Sequence, residues 1–105
     1  MMHNKVYEIY IKTLIPKTFK ILPLYEEKND GLPRYVASLI LEIEGMLYYV
    51  ESPSNQQEVV SVIAILESVY DISLFEDTLV EDLKSEVFKC LSIVKRLIKR
   101  TEGDN

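Results

Sequence analysis

Apolar residues recur along this chain at three- and four-residue steps, and the steps are most regular near its end. Val80, Leu83, Val87, Leu91, Val94 and Ile98 fall on one face of a helical wheel, with Leu79, Cys90 and Leu97 at the margin. Glu81, Ser85, Lys89, Ser92, Arg96 and Lys99 take the opposite face. Thr78-Leu79-Val80-Glu81 fits a capping box, in which each end's side chain satisfies the other's backbone N–H. Acids Glu81 and Asp82 open the segment and bases Lys95, Arg96, Lys99 and Arg100 close it, as the helix dipole favours. A long amphipathic helix is therefore predicted over 78–100. Phe88 and Ile93 sit off its main stripe, where they would meet a second neighbour or a partner chain. The polar residues 101–105 read as a frayed tail.

Residues 56–70 predict another helix, with Val59, Val62, Ile63, Leu66 and either Val69 or Tyr70 on its apolar face. Ser54 or Asn55 would cap it, with Glu58 in its first turn. The short loop Ser52-Pro53-Ser54-Asn55 makes the flanking elements antiparallel neighbours.

Residues 33–51 allow two readings. As a helix, Val36, Leu39, Ile40, Ile43, Leu47 and Val50 line one face, Arg34, Ser38, Glu42 and Gly45 form a narrow polar stripe, and Pro33 suits the first turn. So apolar a helix is expected to be central in the fold. As strands, Tyr35, Ala37, Leu39, Leu41 and Ile43 alternate, and Glu44-Gly45 would turn a hairpin. The helix is preferred, because the polar stripe keeps helical spacing and no partner strand is evident elsewhere.

Residues 4–29 carry Tyr7, Ile11, Leu14, Thr18, Ile21 and Tyr25 at helical steps, with Ile15, Phe19 and Leu22 beside them. Pro16 and Pro23 each remove a backbone donor, so a kink or a split is predicted at one or both. Asn29-Asp30-Gly31 ends the element, with Gly31 expected in the left-handed conformation. Between the last two helices, Ile72, Leu74 and Phe75 are too apolar for a free loop and are expected to fold back on the core. Ser73-Leu74-Phe75-Glu76 mimics a second capping box, which would start the final helix early.

The fold class that follows is all-α, an antiparallel bundle of four main helices with the first kinked or split at Pro16/Pro23. The alternative is α+β, with a hairpin at residues 35–50. Composition agrees with the first: three glycines and four prolines are fewer turn residues than a sandwich or barrel needs. A chain of 105 residues fits one domain, 1–105, with a core that needs no staples.

Charge and cysteine use narrow the setting. The net charge is −5, and residues 56–77 carry five acids and no base. A duplex-DNA binder would show the opposite balance. Cys90 is single, so no intrachain disulfide forms; on the apolar side of its helix it reads as a small buried hydrophobe. A reducing, cytoplasmic setting is expected. The longest uncharged apolar-rich stretch, residues 59–66, is far shorter than a membrane span, and Glu8 and Lys12 interrupt any signal-peptide core.

The search for chemistry returns little. His3 is the one histidine and lies near a terminus, so nucleophilic triads and histidine-rich metal sites have no basis. No phosphate-cradling glycine loop, EF-hand spacing or paired Glu-x-x-His motif is present. Glu42 and Glu44 would share a face on a strand but diverge on a helix, where they are solvated surface. No catalytic residue, metal or cofactor is assigned.

Two surfaces remain. Tyr48 and Tyr49 are adjacent on an already apolar segment and point about 100° apart on a helix. With Phe88 they form the candidate partner interface, since tyrosine suits half-buried contacts. Lys95, Arg96, Lys99 and Arg100 form the candidate polyanion contact, although bases are favoured in the last turns of any helix. The expected function is a non-catalytic protein–protein interaction module. It would be an immunity-, antitoxin- or regulator-like protein that binds one partner, or a homodimer of itself. The alternative is a nucleic-acid accessory protein using the basic end of the last helix.

Overall fold

The computed structural model describes the backbone of residues 4–50, 52–75 and 80–103, and among these the side chains from residue 8 to residue 100. Five helical segments follow one another: α1 (Asn4–Phe19), α2 (Ile21–Glu26), α3 (Leu32–Leu47), α4 (Pro53–Ser73) and α5 (Val80–Gly103). The described residues contain no strand, so 35–50 is not a hairpin, and Glu44 and Gly45 lie inside α3. The architecture is the all-α bundle of four main helices, with α1 and α2 as the two pieces of a split first helix.

The split falls at Lys20. Pro16 is carried inside α1. Pro23 lacks an N–H for the Phe19 carbonyl, and its ring crowds that carbonyl, so the regular ladder stops there and restarts at Ile21. Lys20 itself stays near helical dihedrals (φ −61°, ψ −21°), which keeps α2 roughly in line with α1.

The end of α2 corrects one expectation. The left-handed residue is Lys28 (φ 54°), not Gly31 (φ −83°, ψ 0°). The N–H of Asn29 donates to the Leu24 carbonyl and that of Lys28 to the Tyr25 carbonyl, both at 3.0 Å. This six-to-one and five-to-two pair is the Schellman stop, which puts the residue after the cap in the left-handed region. Gly31 instead donates its N–H to Asn29 Oδ1 at 2.8 Å and leads into α3.

Helix α4 starts earlier than residue 56. Ser52, in extended geometry (φ −69°, ψ 125°), is the N-cap and accepts from the Asn55 N–H at 3.5 Å, with Pro53 as the first helical residue. Ser54 and Asn55 are therefore inside the helix. Gln56 closes the connection by donating from Nε2 to the Val50 carbonyl at 2.6 Å. At its far end α4 takes in Ser73, whose hydroxyl donates to the Tyr70 carbonyl at 2.6 Å, so Ser73 does not start the final helix. The capping box at Thr78, like His3, lies outside the described residues. Helix α5 continues past Arg100 to Gly103.

Adjacent helices run antiparallel. Phe19 at the end of α1 meets Phe88 in the first half of α5, and Glu58 at the start of α4 meets Arg96 and Arg100 at the end of α5. The main contacts run α3 to α4, α4 to α5 and α5 to α1, with α2 touching α3 and α5. Helix α5, not α3, thus has neighbours on most sides. Its buried stripe is rotated accordingly: Leu83, Val87, Cys90, Leu91, Ile93, Val94 and Leu97 are buried, while Ile98 is only half-buried. Cys90 and Leu97 are central, not marginal. They share one buried core with Ile11 and Leu14 of α1, Ile21 of α2, Val36, Leu39 and Ile43 of α3, and Val59, Val62, Leu66 and Val69 of α4.

Leu74 and Phe75 do not fold back on the core; both are exposed, while Ile72 packs partly against it. The bundle is elongated, with principal extents of 45 × 21 × 19 Å.

Candidate functional site

Where α1 passes α3, a polar cluster forms that sequence spacing did not reveal. Lys17 Nζ lies 2.6 Å from Glu42 Oε1. The Tyr35 hydroxyl donates to the Lys17 carbonyl at 2.6 Å. The Lys20 ammonium stands 5.5 Å from the Tyr35 ring centre, and that of Lys17 stands 5.7 Å from the Tyr10 ring centre, both within cation–π range. Lys17, Lys20, Tyr35 and Glu42, together with Pro16, Ser38 and Leu39, line a shallow groove of about 400 Å³.

Burial first, and the nearby Glu42 charge second, raise the phenol pKa values of Tyr10 and Tyr35. The Tyr10 hydroxyl feels that carboxylate but makes no well-aligned hydrogen bond to it. Both lysines of the groove thus have partners inside it. Its arrangement is that of a clasp between α1 and α3: Glu42 pairs with Lys17, and the Lys20 charge faces the Tyr35 ring. The Glu42–Glu44 pair is separated, with Glu42 turned to Lys17 and Glu44 exposed on another side of α3.

The aromatic candidates are all exposed, but they do not form one patch. Tyr48, the residue that caps α3, is 93% exposed, and Tyr49 is 49% exposed. Phe88 is 49% exposed and stacks edge-on against Phe19, with centroids 6.2 Å apart and planes at 82°. Phe88 lies twelve residues before Arg100, about 18 Å along α5. Arg100 is at the end of the bundle where α3 turns into α4, so Phe88 and the tyrosines are at different levels.

A further exposed residue belongs with Tyr48. Leu41 is 68% exposed and lies seven positions before it, on the same outward line of α3. The helical reading of 33–51 left Leu41 off its apolar face but did not single it out as exposed, because it sits beside buried Ile40 in an apolar run.

The basic candidates are partly engaged. Arg96 Nη2 lies 3.1 Å from Glu58 Oε2, an ion pair without hydrogen-bond alignment, and Arg100 Nη2 lies 3.9 Å from Glu58 Oε1. Lys95 and Lys99 are exposed and make no salt bridge among the described residues. One carboxylate therefore offsets part of the charge of the cluster.

Cys90 is fully buried, and burial pushes its thiol up to about 11, with Thr18 beside it acting weakly in the other direction. The Thr18 hydroxyl itself is buried without an aligned partner. Among the described residues, no three His, Cys, Asp or Glu side chains gather as a metal site would require, and no helix is long and apolar enough to cross a membrane. No protein-family model, curated protein or solved structure matches this chain.

Proposed function

We propose that this protein works by binding another protein chain, through the outward face of α3 that carries Leu41 and Tyr48. The observation behind this reading is that a core already filled from all five helical segments leaves these two large side chains in water, 68% and 93% exposed. Tyrosine and leucine on one helical line are the anchors of helix-mediated contacts, where a side chain filling a partner's pocket dominates the binding energy. The polyanion reading has less support, because Glu58 sits against two of the four bases and the whole chain carries −5.

The test is photocrosslinking in the source cell, with a benzophenone amino acid at position 48 and, as a control, at exposed position 84 near the start of α5, at the other end of the bundle. A discrete protein adduct from position 48 that is absent from position 84 is expected. No adduct from position 48, in cells where the variant accumulates to normal levels, would remove the proposal.

A further inference from the structure

The outward face of α3 has a regular composition. Arg34, Leu41 and Tyr48 are spaced by seven, and Ala37-Ser38 and Glu44-Gly45 fill the three- and four-residue steps between them. Arg34, Ser38, Leu41, Glu44, Gly45 and Tyr48 are all exposed, and Ala37 is half-buried. Spacing of seven with alternating three- and four-residue steps keeps these residues on one face, the geometry along which a helix packs lengthwise on another. A Cβ built on Gly45 meets nothing within 4 Å, so the groove beside it is open to a neighbour. Tyr48 keeps helical dihedrals (φ −58°, ψ −27°) and continues the line beyond the last turn.

The geometry points to a second copy of this chain as the partner, docked with its α3 antiparallel to the first and Leu41 on the two-fold axis. This inference rests on the protein-binding reading above and names the partner. About a centre at Leu41, each residue faces the one equally far on the other side. Arg34 then faces the partner's Tyr48, about 10 Å from the axis, where a guanidinium can stack on the ring. Ala37 faces Gly45 and Ser38 faces Glu44, so small residues let the backbones approach and a hydroxyl can donate to a carboxylate. Glu44 of the partner also lies one turn from Arg34, within reach of that long side chain.

The charge pattern selects this orientation. A parallel pair would set Arg34 against Arg34 and Glu44 against Glu44, and like charges across a seam are disfavoured. Because the face is isologous, the contact closes as a dimer and does not propagate. A sixteen-residue helix against its copy forms an interface below the size of a permanent dimer. The dissociation constant is therefore expected on the order of tens of micromolar.

Sedimentation equilibrium on the whole chain, from low micromolar to near-millimolar concentration, reads the association. The mass is expected to rise from the 12.2 kDa of one chain towards twice that value. Leu41→Glu should weaken the dimer at least tenfold while leaving the helical circular dichroism unchanged. Arg34→Glu and Glu44→Arg should each weaken it, and the two together should restore it. Leu41→Cys should form a symmetric disulfide under mild oxidation, and Arg34→Cys should crosslink to Tyr48→Cys in mixtures but not to itself. A mass of one chain at every concentration overturns the inference, as does a dimer indifferent to Leu41→Glu. If the chain stays monomeric while position 48 still captures a different protein in cells, the second copy is eliminated and the protein-binding reading stands.

Discussion

Cys90 illustrates how position decides the chemistry of a residue. Surrounded by the core, its thiolate would be a charge without solvent, so the neutral form is favoured and its pKa rises from 9.0 to about 11. Between those values the folded chain keeps a proton that the unfolded chain loses. Its contribution to stability is therefore complete below pH 9 and is lost as pH rises towards 11. Tyr10 and Tyr35, also raised by burial and then by Glu42, act in the same direction at higher pH. The urea midpoint is expected to hold level from pH 7 to 9 and then to fall, with a shallower fall in Cys90→Ala. A level midpoint up to pH 11 would contradict the buried placement.

At the scale of the element, the stop of α2 carries local strain. Lys28 adopts φ 54° with a full side chain, where glycine is the residue without a Cβ penalty. The hydrogen bonds of Asn29 and Lys28 to Leu24 and Tyr25 hold it there. Lys28→Gly should raise unfolding stability by about 1 kcal/mol, since the relieved strain exceeds the entropy cost of glycine in the unfolded chain. Chemical denaturation at micromolar protein measures it, and a loss of stability would show that the turn is not built this way. The break at Lys20 has the same local character, because Pro23 acts on a carbonyl only four residues back.

In the whole molecule, burial separates residues that look alike in sequence. Leu66 has no exposed surface, and Leu41 is mostly exposed. Leu66→Ala should cost about 3 kcal/mol, from lost transfer energy and the cavity left behind. Leu41→Ser should change the stability of the single chain by no more than about 0.5 kcal/mol. Thermal melts of the two variants at low concentration decide this, and similar losses would mean that Leu41 is part of the core. The outward position of α3 follows from the contact order of the helices, in which α5 is shared by α1, α2 and α4.

The sequence by itself favoured the helical class over a hairpin at 35–50, placed a break at Pro16 or Pro23, and marked most of the core positions of α3, α4 and α5, because hydrophobic periodicity and proline geometry act within one or two turns. Val59, Val62, Ile63 and Leu66 were legible in this way, as was the exposure of a tyrosine at position 48 or 49, while the choice of Val69 over Tyr70 fell to the structure. Only the tertiary structure decided which helix is central, which rotated the buried face of α5 onto Cys90 and Leu97 and left Leu41 outside. It also brought Lys17 to Glu42 and Glu58 to Arg96 and Arg100, across separations in sequence that no periodic pattern encodes. The physical reason is that a helix's own sequence fixes which sides are apolar, while the packing of the other helices fixes which of those sides are covered.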